Sequence, residues 1–147
     1  AKAYRRLGRS EEAKKELRLT LEINPRFSEA WLHLAQMAQA EGRPTEERRL
    51  LEEAEAAGTA SALILARLGQ LLAAAGEVDA AETKLAAATE LLPDWPTAWL
   101  VRGQMALKKG DRASARLHLE RAAALAPSSP DGREARRLLG ELGPPAP

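Results

Sequence analysis

Three glutamines, Gln36, Gln70 and Gln104, recur at a spacing of 34 residues, and their side chains are the first candidates for chemistry in this sequence. A carboxamide donates and accepts hydrogen bonds at once, so a row of such groups suits the backbone of an extended peptide. A second interpretation is that glutamine has a high helix propensity and occupies solvent-exposed positions on the helices. The sequence leaves both interpretations open.

The histidines are the candidates for metal binding. His33 lies one helical turn after Glu29, a spacing at which two side chains could hold a metal ion. Two ligands do not complete a site, and the chain has no cysteine and only one further histidine, His118. His118 is interpreted as a polar residue of a helix. The sequence therefore predicts no metal site and no cofactor.

The residues of a catalytic site are also missing from the sequence. There is no thiol, no glycine-rich phosphate loop and no G-x-S-x-G elbow. The serines fall mostly at predicted helix starts, where capping explains them. We therefore expect that the chain is not an enzyme, although it could form the regulatory tail of a larger one.

Composition favours a helical domain with a core of ordinary size. The 147 residues are 45% hydrophobic and only 3% aromatic, and alanine and leucine supply most of the apolar surface. No apolar run is long enough to cross a bilayer, so no membrane partner is expected. The lack of cysteine fits a reducing compartment and favours the cytoplasm without excluding the periplasm.

Charge is distributed unevenly along the chain. Residues 1–27 carry 8 basic and 4 acidic groups and residues 96–129 carry 6 and 2, whereas residues 28–61 carry 3 and 7 and residues 62–95 carry 2 and 5. Helical repeats can bind RNA, but the acidic middle offers no predicted aromatic groups for stacking on bases. Nucleic acid is therefore not expected as a partner.

A period of 34 residues organises the chain. It brings large residues, small residues, turn glycines and helix-ending prolines into register. The matching sets are Trp31, Leu65 and Trp99; Ala35, Gly69 and Gly103; Leu17, Leu51, Leu85 and Leu119; Gly8, Gly42, Gly76 and Gly110; and Pro25, Pro93 and Pro127. The small residues are expected to let the two helices of each pair approach closely.

The central copy reads L-x2-L-G-x2-L from Leu65, followed by Ala81-x3-Leu85 and by Pro93. This resembles the tetratricopeptide repeat family, whose pattern is W-x2-L-G-x2-Y, then A-x3-F, then P. The resemblance covers residues 1 to about 129. It implies an all-α fold, a right-handed superhelical solenoid of antiparallel helix pairs with a C-terminal capping helix, and a role as a protein–protein interaction scaffold.

The period also predicts the domain organisation. One continuous repeat domain is expected, made of a partial first repeat, three full repeats, a capping helix and a flexible tail, at residues 1–27, 28–61, 62–95, 96–129, 130–142 and 143–147. Ala1 aligns with Ala35, so the chain begins inside a repeat, and we expect a piece of a longer protein or a disordered N-terminal part. A targeting signal could have preceded it. Gly8 is expected to turn the chain before a helix capped by Ser10.

In the family that this sequence resembles, the first helix of each pair lines a concave groove. Carried onto this sequence, the resemblance implies a groove for a protein or peptide partner formed by Arg5, Glu29, Leu32, His33, Gln36, Gln39, Leu63, Arg67, Gln70, Thr97, Leu100, Val101, Gln104 and Lys108. Self-association through the N-terminal end, giving a homo-oligomer, is the alternative.

Arg102 departs most from the repeat pattern, because it stands where Leu34 and Leu68 are predicted to be buried. We expect its stem to pack near the capping helix while its head reaches solvent, Glu134 or Asp131.

Overall fold

The computed structural model describes residues 2–145, with side chains from Leu7 onward. These residues form eight α-helices and contain no strand, which confirms the predicted all-α fold. The helices are α1 (Lys2–Ile23), α2 (Ser28–Ala40), α3 (Pro44–Ala56), α4 (Ala62–Ala74), α5 (Val78–Leu91), α6 (Pro96–Lys109), α7 (Arg112–Leu125) and α8 (Pro130–Leu142). None of the helices in this described part is both long and apolar enough to span a bilayer.

The chain divides into two compact units, residues 1–64 and residues 65–147. In the first unit α2 packs against both α1 and α3. Its core is a cluster of buried leucine and alanine side chains from the three helices, namely Leu21, Ala30, Leu34, Ala38 and Leu50. The partly buried side chains of Leu17 and Trp31 pack against this cluster. Ala30, Leu34 and Ala38 follow one another at a spacing of four residues, which places them on one face of α2.

Helix α1 is continuous across Gly8, and the predicted turn at this residue is wrong. Gly8 is helical and has no positive φ, whereas Gly42, at the same position one period later, has a φ of 70°. Because the helix does not begin after Gly8, the predicted cap at Ser10 is wrong as well. Glycine tolerates both backbone conformations, so its place in the repeat does not decide between them.

In the second unit the repeat glycines allow close contact between helices. A Cβ atom added to Gly69 on α4 would lie 2.7 Å from Cγ of Leu85 on α5, and one added to Gly103 on α6 would lie 2.6 Å from Cγ of Leu119 on α7. Both distances are shorter than carbon atoms tolerate. The prediction that these glycines let paired helices approach closely is therefore confirmed.

Three of the repeat glycines end their helices in the same way. Gly42, Gly76 and Gly110 have φ values of 70°, 83° and 82°, a left-handed conformation that favours glycine. The residue after each glycine donates its N–H to the carbonyl five positions back, as in the bond from Asp111 N to Ala106 O of 2.9 Å. This is the Schellman arrangement. Gly58, with a φ of 85°, ends α3 by the same arrangement.

Helix α8 closes the second unit by packing against both α6 and α7. Its N-cap is Ser129, whose hydroxyl accepts the N–H of Gly132 at 3.0 Å. Arg137 occupies the position of Gly103 one period later, and its side chain is exposed and bonded to Glu134 and Glu141. The position at which α6 has a glycine packed against α7 is thus occupied by an exposed, charged side chain in α8.

Candidate functional site

The first unit contains an open cavity of about 500 Å³ between α1 and α2. Its lining combines side chains from two turns of α1 with side chains from one face of α2: Ala13, Glu16, Leu17, Thr20, His33, Gln36, Met37 and Ala40. Two predicted site residues, His33 and Gln36, are thus brought together. The α1 wall was not predicted as part of a site.

The α1 wall carries residues that the repeat pattern normally buries. Leu17 is in register with Leu51, Leu85 and Leu119, which are each 0% exposed, but Leu17 is only partly buried. Thr20 is likewise partly buried, although the residues in register with it are fully buried alanines, namely Ala54, Ala88 and Ala122. The face of α1 that carries the packing pattern is therefore accessible from the cavity.

An ion pair links α1 to the end of α2 beside this cavity. Lys14 Nζ lies 3.0 Å from a carboxylate oxygen of Glu11 and 2.6 Å from one of Glu41. The hydrogen bond to Glu41 raises the pKa of Lys14, and the same bond lowers the pKa of Glu41. Both charges are thus paired with each other where α1 meets the end of α2.

The other predicted residues of the first unit lie along α2 and at the start of α4. Glu29, His33, Gln36 and Gln39 are exposed, Leu32 is partly buried, and Leu63 is 51% exposed. Glu29, Leu32, His33 and Gln36 recur at three or four residues and therefore share one face of α2. Arg5 lies in the turn of α1 whose side chains are outside the described part of the structure.

In the second unit several predicted site residues are already engaged. Arg67 donates a hydrogen bond to the side-chain oxygen of Gln70 at 3.3 Å, and the Thr97 hydroxyl donates to a carboxylate oxygen of Asp131 on α8. Leu100 and Val101 are each 6% exposed, and Leu100 belongs to the core that α6 shares with α7 and α8. Gln104 is partly buried and Lys108 is exposed. Leu100 and Val101 are therefore buried and do not form part of an accessible surface.

The prediction for Arg102 is wrong about its neighbours. Its Nη1 donates to the Thr89 hydroxyl on α5 at 3.0 Å, and its Cζ lies 5.2 Å from the centre of the Trp99 ring. Asp131 instead accepts from Thr97 on α6, and Glu134 pairs with Arg137. Because α6 also packs against α5, position 102 faces α5 rather than the capping helix.

The two matching tryptophans have a common structural role. The indole Nε1 of Trp31 donates to the carbonyl of Pro25 at 2.8 Å, and that of Trp99 donates to the carbonyl of Pro93 at 2.7 Å. Each bond ties a helix to the loop before it. Partly buried indoles satisfied in this way are packing elements.

Two family models, both described as Tetratricopeptide repeat, match residues 66–130 and 1–37. The structure of MamA has a TM-score of 0.71 at 21% identity, covering 92% of this chain and 82% of that one. The pilF protein of Pseudomonas aeruginosa has a TM-score of 0.70 at 23% identity, covering 98% and 73%.

A third similar structure is that of PcrH in complex with the chaperone binding region of PopD. Its TM-score is 0.71 at 17% identity, and the match covers 78% of this chain and 89% of that one. At such identities the similarity describes the fold alone. None of the curated proteins compared with the chain matches its sequence.

Proposed function

Because the chain belongs to the tetratricopeptide repeat family, a fold of protein–protein interaction scaffolds, we propose that it binds a protein partner and that a helical segment of this partner occupies the cavity between α1 and α2. The observation that carries this proposal is the accessibility of Leu17 and Thr20. In the other three repeats, the residues at the two equivalent repeat positions are fully buried. An apolar face made for packing, left accessible beside a cavity, favours a protein ligand.

The second unit provides a template for the occupant. There the face that corresponds to Leu17 and Thr20 is covered by a helix that presents a small residue, as Gly103 does over Leu119. A helix from the partner that places glycine or alanine over Leu17 would pack in the same way. Its polar flank would lie beside His33 and Gln36, whose side chains can donate and accept hydrogen bonds.

The binding of a protein segment has a precedent among the similar structures. PcrH was solved with the chaperone binding region of PopD, which is a segment of another protein. This supports a protein ligand for the same fold without identifying the partner of this chain. The continuous peptide groove implied by the family resemblance, with its glutamine ladder, stays a prediction.

A binding role is favoured over a catalytic one even where serine, histidine and aspartate come close in sequence. Asp111 accepts the backbone N–H of Ser114 at 3.1 Å, so its carboxylate serves as the N-cap of α7. His118 Nδ1 has no hydrogen-bond partner within the described residues. A catalytic histidine requires a group that orients it and a bonded nucleophile, and these contacts supply neither.

The proposal can be tested by adding a charge to either wall of the cavity. Thr20→Glu changes the α1 wall and Gln36→Glu changes the α2 wall, and Gln39→Glu adds the same charge on α2 outside the cavity lining. Each variant would be immobilised and exposed to extract of the native host, and the captured proteins would be quantified by mass spectrometry. We expect both cavity variants to lose the same partner, which the Gln39→Glu variant retains.

Two further results identify the occupant of the site and test whether the site exists. A dimer that forms with increasing concentration in light scattering, and that Thr20→Glu abolishes, would identify a second copy of the chain as the occupant. If both cavity variants fold, as judged by far-UV circular dichroism, and still capture every partner of the unmodified chain, the proposed site is wrong.

A further inference from the structure

A second cavity, of about 370 Å³, lies among α5, α6 and α7 and is independent of the cavity proposed above. Unlike the first, it is lined mainly by polar and charged groups. The lining residues that matter here are Glu82, Arg102, Lys109, Asp111, Ser114 and His118. Glu82 comes from α5, and Arg102 and Lys109 come from α6. Asp111 is the N-cap of α7, and Ser114 and His118 lie in its first two turns, so the packed helices hold the groups in fixed positions.

The acidic groups around this cavity are already engaged. Lys109 Nζ lies 2.9 Å from a carboxylate oxygen of Glu82 and 3.1 Å from one of Asp79. The hydrogen bond from the Ser114 side chain, and then the one from its backbone N–H, lower the pKa of the Asp111 carboxyl group. Lys109 is engaged by the same contacts. Its hydrogen bond to Glu82, and then its hydrogen bond to Asp79, raise its pKa and so favour the charged form.

Arg102 is different, because its charge has no carboxylate partner. Among the described residues its guanidinium bonds only the neutral hydroxyl of Thr89 and lies against the face of Trp99. Burial lowers the pKa of Arg102, while Glu82 and Glu90 act on it only from a distance. A guanidinium has five N–H groups, so most of its hydrogen-bonding capacity is not used by Thr89.

His118 provides a second group beside Arg102. Its ring centre lies 5.6 Å from that of Trp99, and its Nδ1 is buried with no hydrogen-bond partner in the described structure. Burial and then the charge of Arg102 lower the pKa of His118, which favours the neutral ring at pH 7. Since a buried N–H without an acceptor is especially costly, the hydrogen of the neutral ring belongs on Nε2. His118 thus has one N–H to donate.

We propose that this cavity binds a single carboxylate group of a partner protein, paired with the guanidinium of Arg102 and hydrogen-bonded by His118. The carboxylate is an Asp or Glu side chain or a chain terminus, which present the same chemistry. A planar guanidinium matches a carboxylate geometrically and binds it through paired hydrogen bonds. Phosphate is a poorer ligand, because its second negative charge would lie near Glu82, Asp79 and Asp111.

The repeat pattern supports a role for Arg102 beyond folding. The residues in register with it, Leu34 and Leu68, are 4% and 1% exposed. A buried leucine therefore fills the equivalent position in two other repeats of the chain, so packing at this position does not require arginine. Replacing a partly buried charge by a well-packed apolar side chain is often neutral or stabilising, so Arg102→Leu is a suitable test variant. Arg102→Met gives the same test should the leucine variant fail to fold.

The experiment uses nuclear magnetic resonance of the full chain with four probes. One peptide has a free C-terminal carboxylate and no acidic side chain, and a second has an amidated C-terminus and one central glutamate. An amidated peptide without an acidic residue and inorganic phosphate complete the set. We expect at least one of the first two peptides to shift the Trp99 indole and His118 imidazole signals and to raise the pKa of His118, because a bound anion favours the imidazolium form.

The variants show whether Arg102 is responsible. Arg102→Leu is expected to weaken binding of the carboxylate peptide at least about tenfold. Arg121→Leu removes an exposed arginine of α7 outside the cavity lining and is expected to bind like the unmodified chain. Which of the two peptides binds identifies the source of the carboxylate. The proposal is overturned if neither peptide binds, if the folded Arg102 variant binds equally well, or if phosphate binds more tightly than both.

Discussion

Helices α1 and α7 carry the same packing pattern in different surroundings. On α7, Ala115 and Leu119 are 0% exposed and belong to a core shared with α6 and α8. On α1, Ala13 and Leu17 stand at the same repeat positions but are only partly buried and line a cavity. The same side chains thus form a core or a surface. What differs is whether a helix lies over them, as α6 does over α7.

The two units also differ in how their packing ends. In the second unit α8 presents its apolar residues to α6 and α7 and places Arg137, with its paired carboxylates, at the position where another helix would pack. In the first unit Leu17 instead borders the open cavity between α1 and α2. A polar outer face at the end of a repeat array disfavours association with another protein, whereas an accessible apolar face favours it.

Truncating the equivalent leucines should give the largest difference between the two units. Leu119→Ala is expected to lower the free energy of unfolding by about 2–5 kcal/mol, because it leaves a cavity in a closed core. Leu17→Ala should cost about 1 kcal/mol or less, because this side chain already borders open space. Urea unfolding followed by circular dichroism measures both values. Equal losses would contradict the difference in burial.

Adding a methyl group at Gly103 should have the next largest effect. The new Cβ would lie 2.6 Å from Leu119, so Gly103→Ala is expected to destabilise the chain by about 1–3 kcal/mol. Thermal unfolding is a suitable measurement. Gly140→Ala is the matched control, because this glycine of α8 has no atom within 4 Å of an added Cβ. A stable Gly103→Ala variant would show that α6 and α7 are less closely packed than described.

Alanine at Gly8 should have the opposite effect. Because Gly8 lies inside a helix and has no atom within 4 Å of an added Cβ, Gly8→Ala is expected to stabilise the chain by about 0.5–1 kcal/mol. Gly110→Ala is expected to destabilise it by about 1–2 kcal/mol, since the φ of Gly110 is 82°. Chemical unfolding of the two variants compares them directly. Destabilisation by Gly8→Ala would indicate a turn at this residue.

The smallest effect concerns His118 and pH. Because burial lowers its pKa in the folded chain, the unfolded chain binds more protons as the pH falls through about 6.5. The stability that neutral His118 provides is therefore present above this pH and is lost as the pH falls towards the folded pKa. His118→Gln should reduce the loss of stability between about pH 7.5 and 5.5. Unfolding curves of the unmodified chain and the variant at several pH values check this, and identical slopes for the two proteins would contradict it.

The period of 34 residues predicts most of the fold because glycine and proline have local effects. Helix α6 spans Pro96–Lys109, from the predicted start of a repeat at residue 96 to the turn glycine Gly110, and Asp111 is the N-cap of the next helix. These boundaries depend on neighbouring residues alone. The tetratricopeptide repeat family, inferred from the same pattern, is confirmed by the family models.

The candidate site was harder to predict because it depends on contacts between distant elements. Gly8 has the same place in the repeat as Gly110, yet glycine permits a helix as well as a turn, and the sequence pattern did not distinguish them. The family resemblance implies that Leu100 lines a groove, but α8 also packs on α6 and helps to bury it. The predicted contact of Arg102 with the capping helix is wrong because its side chain bonds Thr89 on α5 instead. Local pattern does not reveal which neighbour covers a given face.

Thiol labelling tests the accessibility of Leu17 most directly. Because the chain has no cysteine, an introduced thiol is the only one that can react. Leu17→Cys and Leu51→Cys place single thiols at equivalent positions of α1 and α3 in the same unit. Under native conditions we expect the partly buried thiol at position 17 to react at least about a hundredfold faster than the fully buried thiol at position 51. Equal protection of the two thiols would contradict the account.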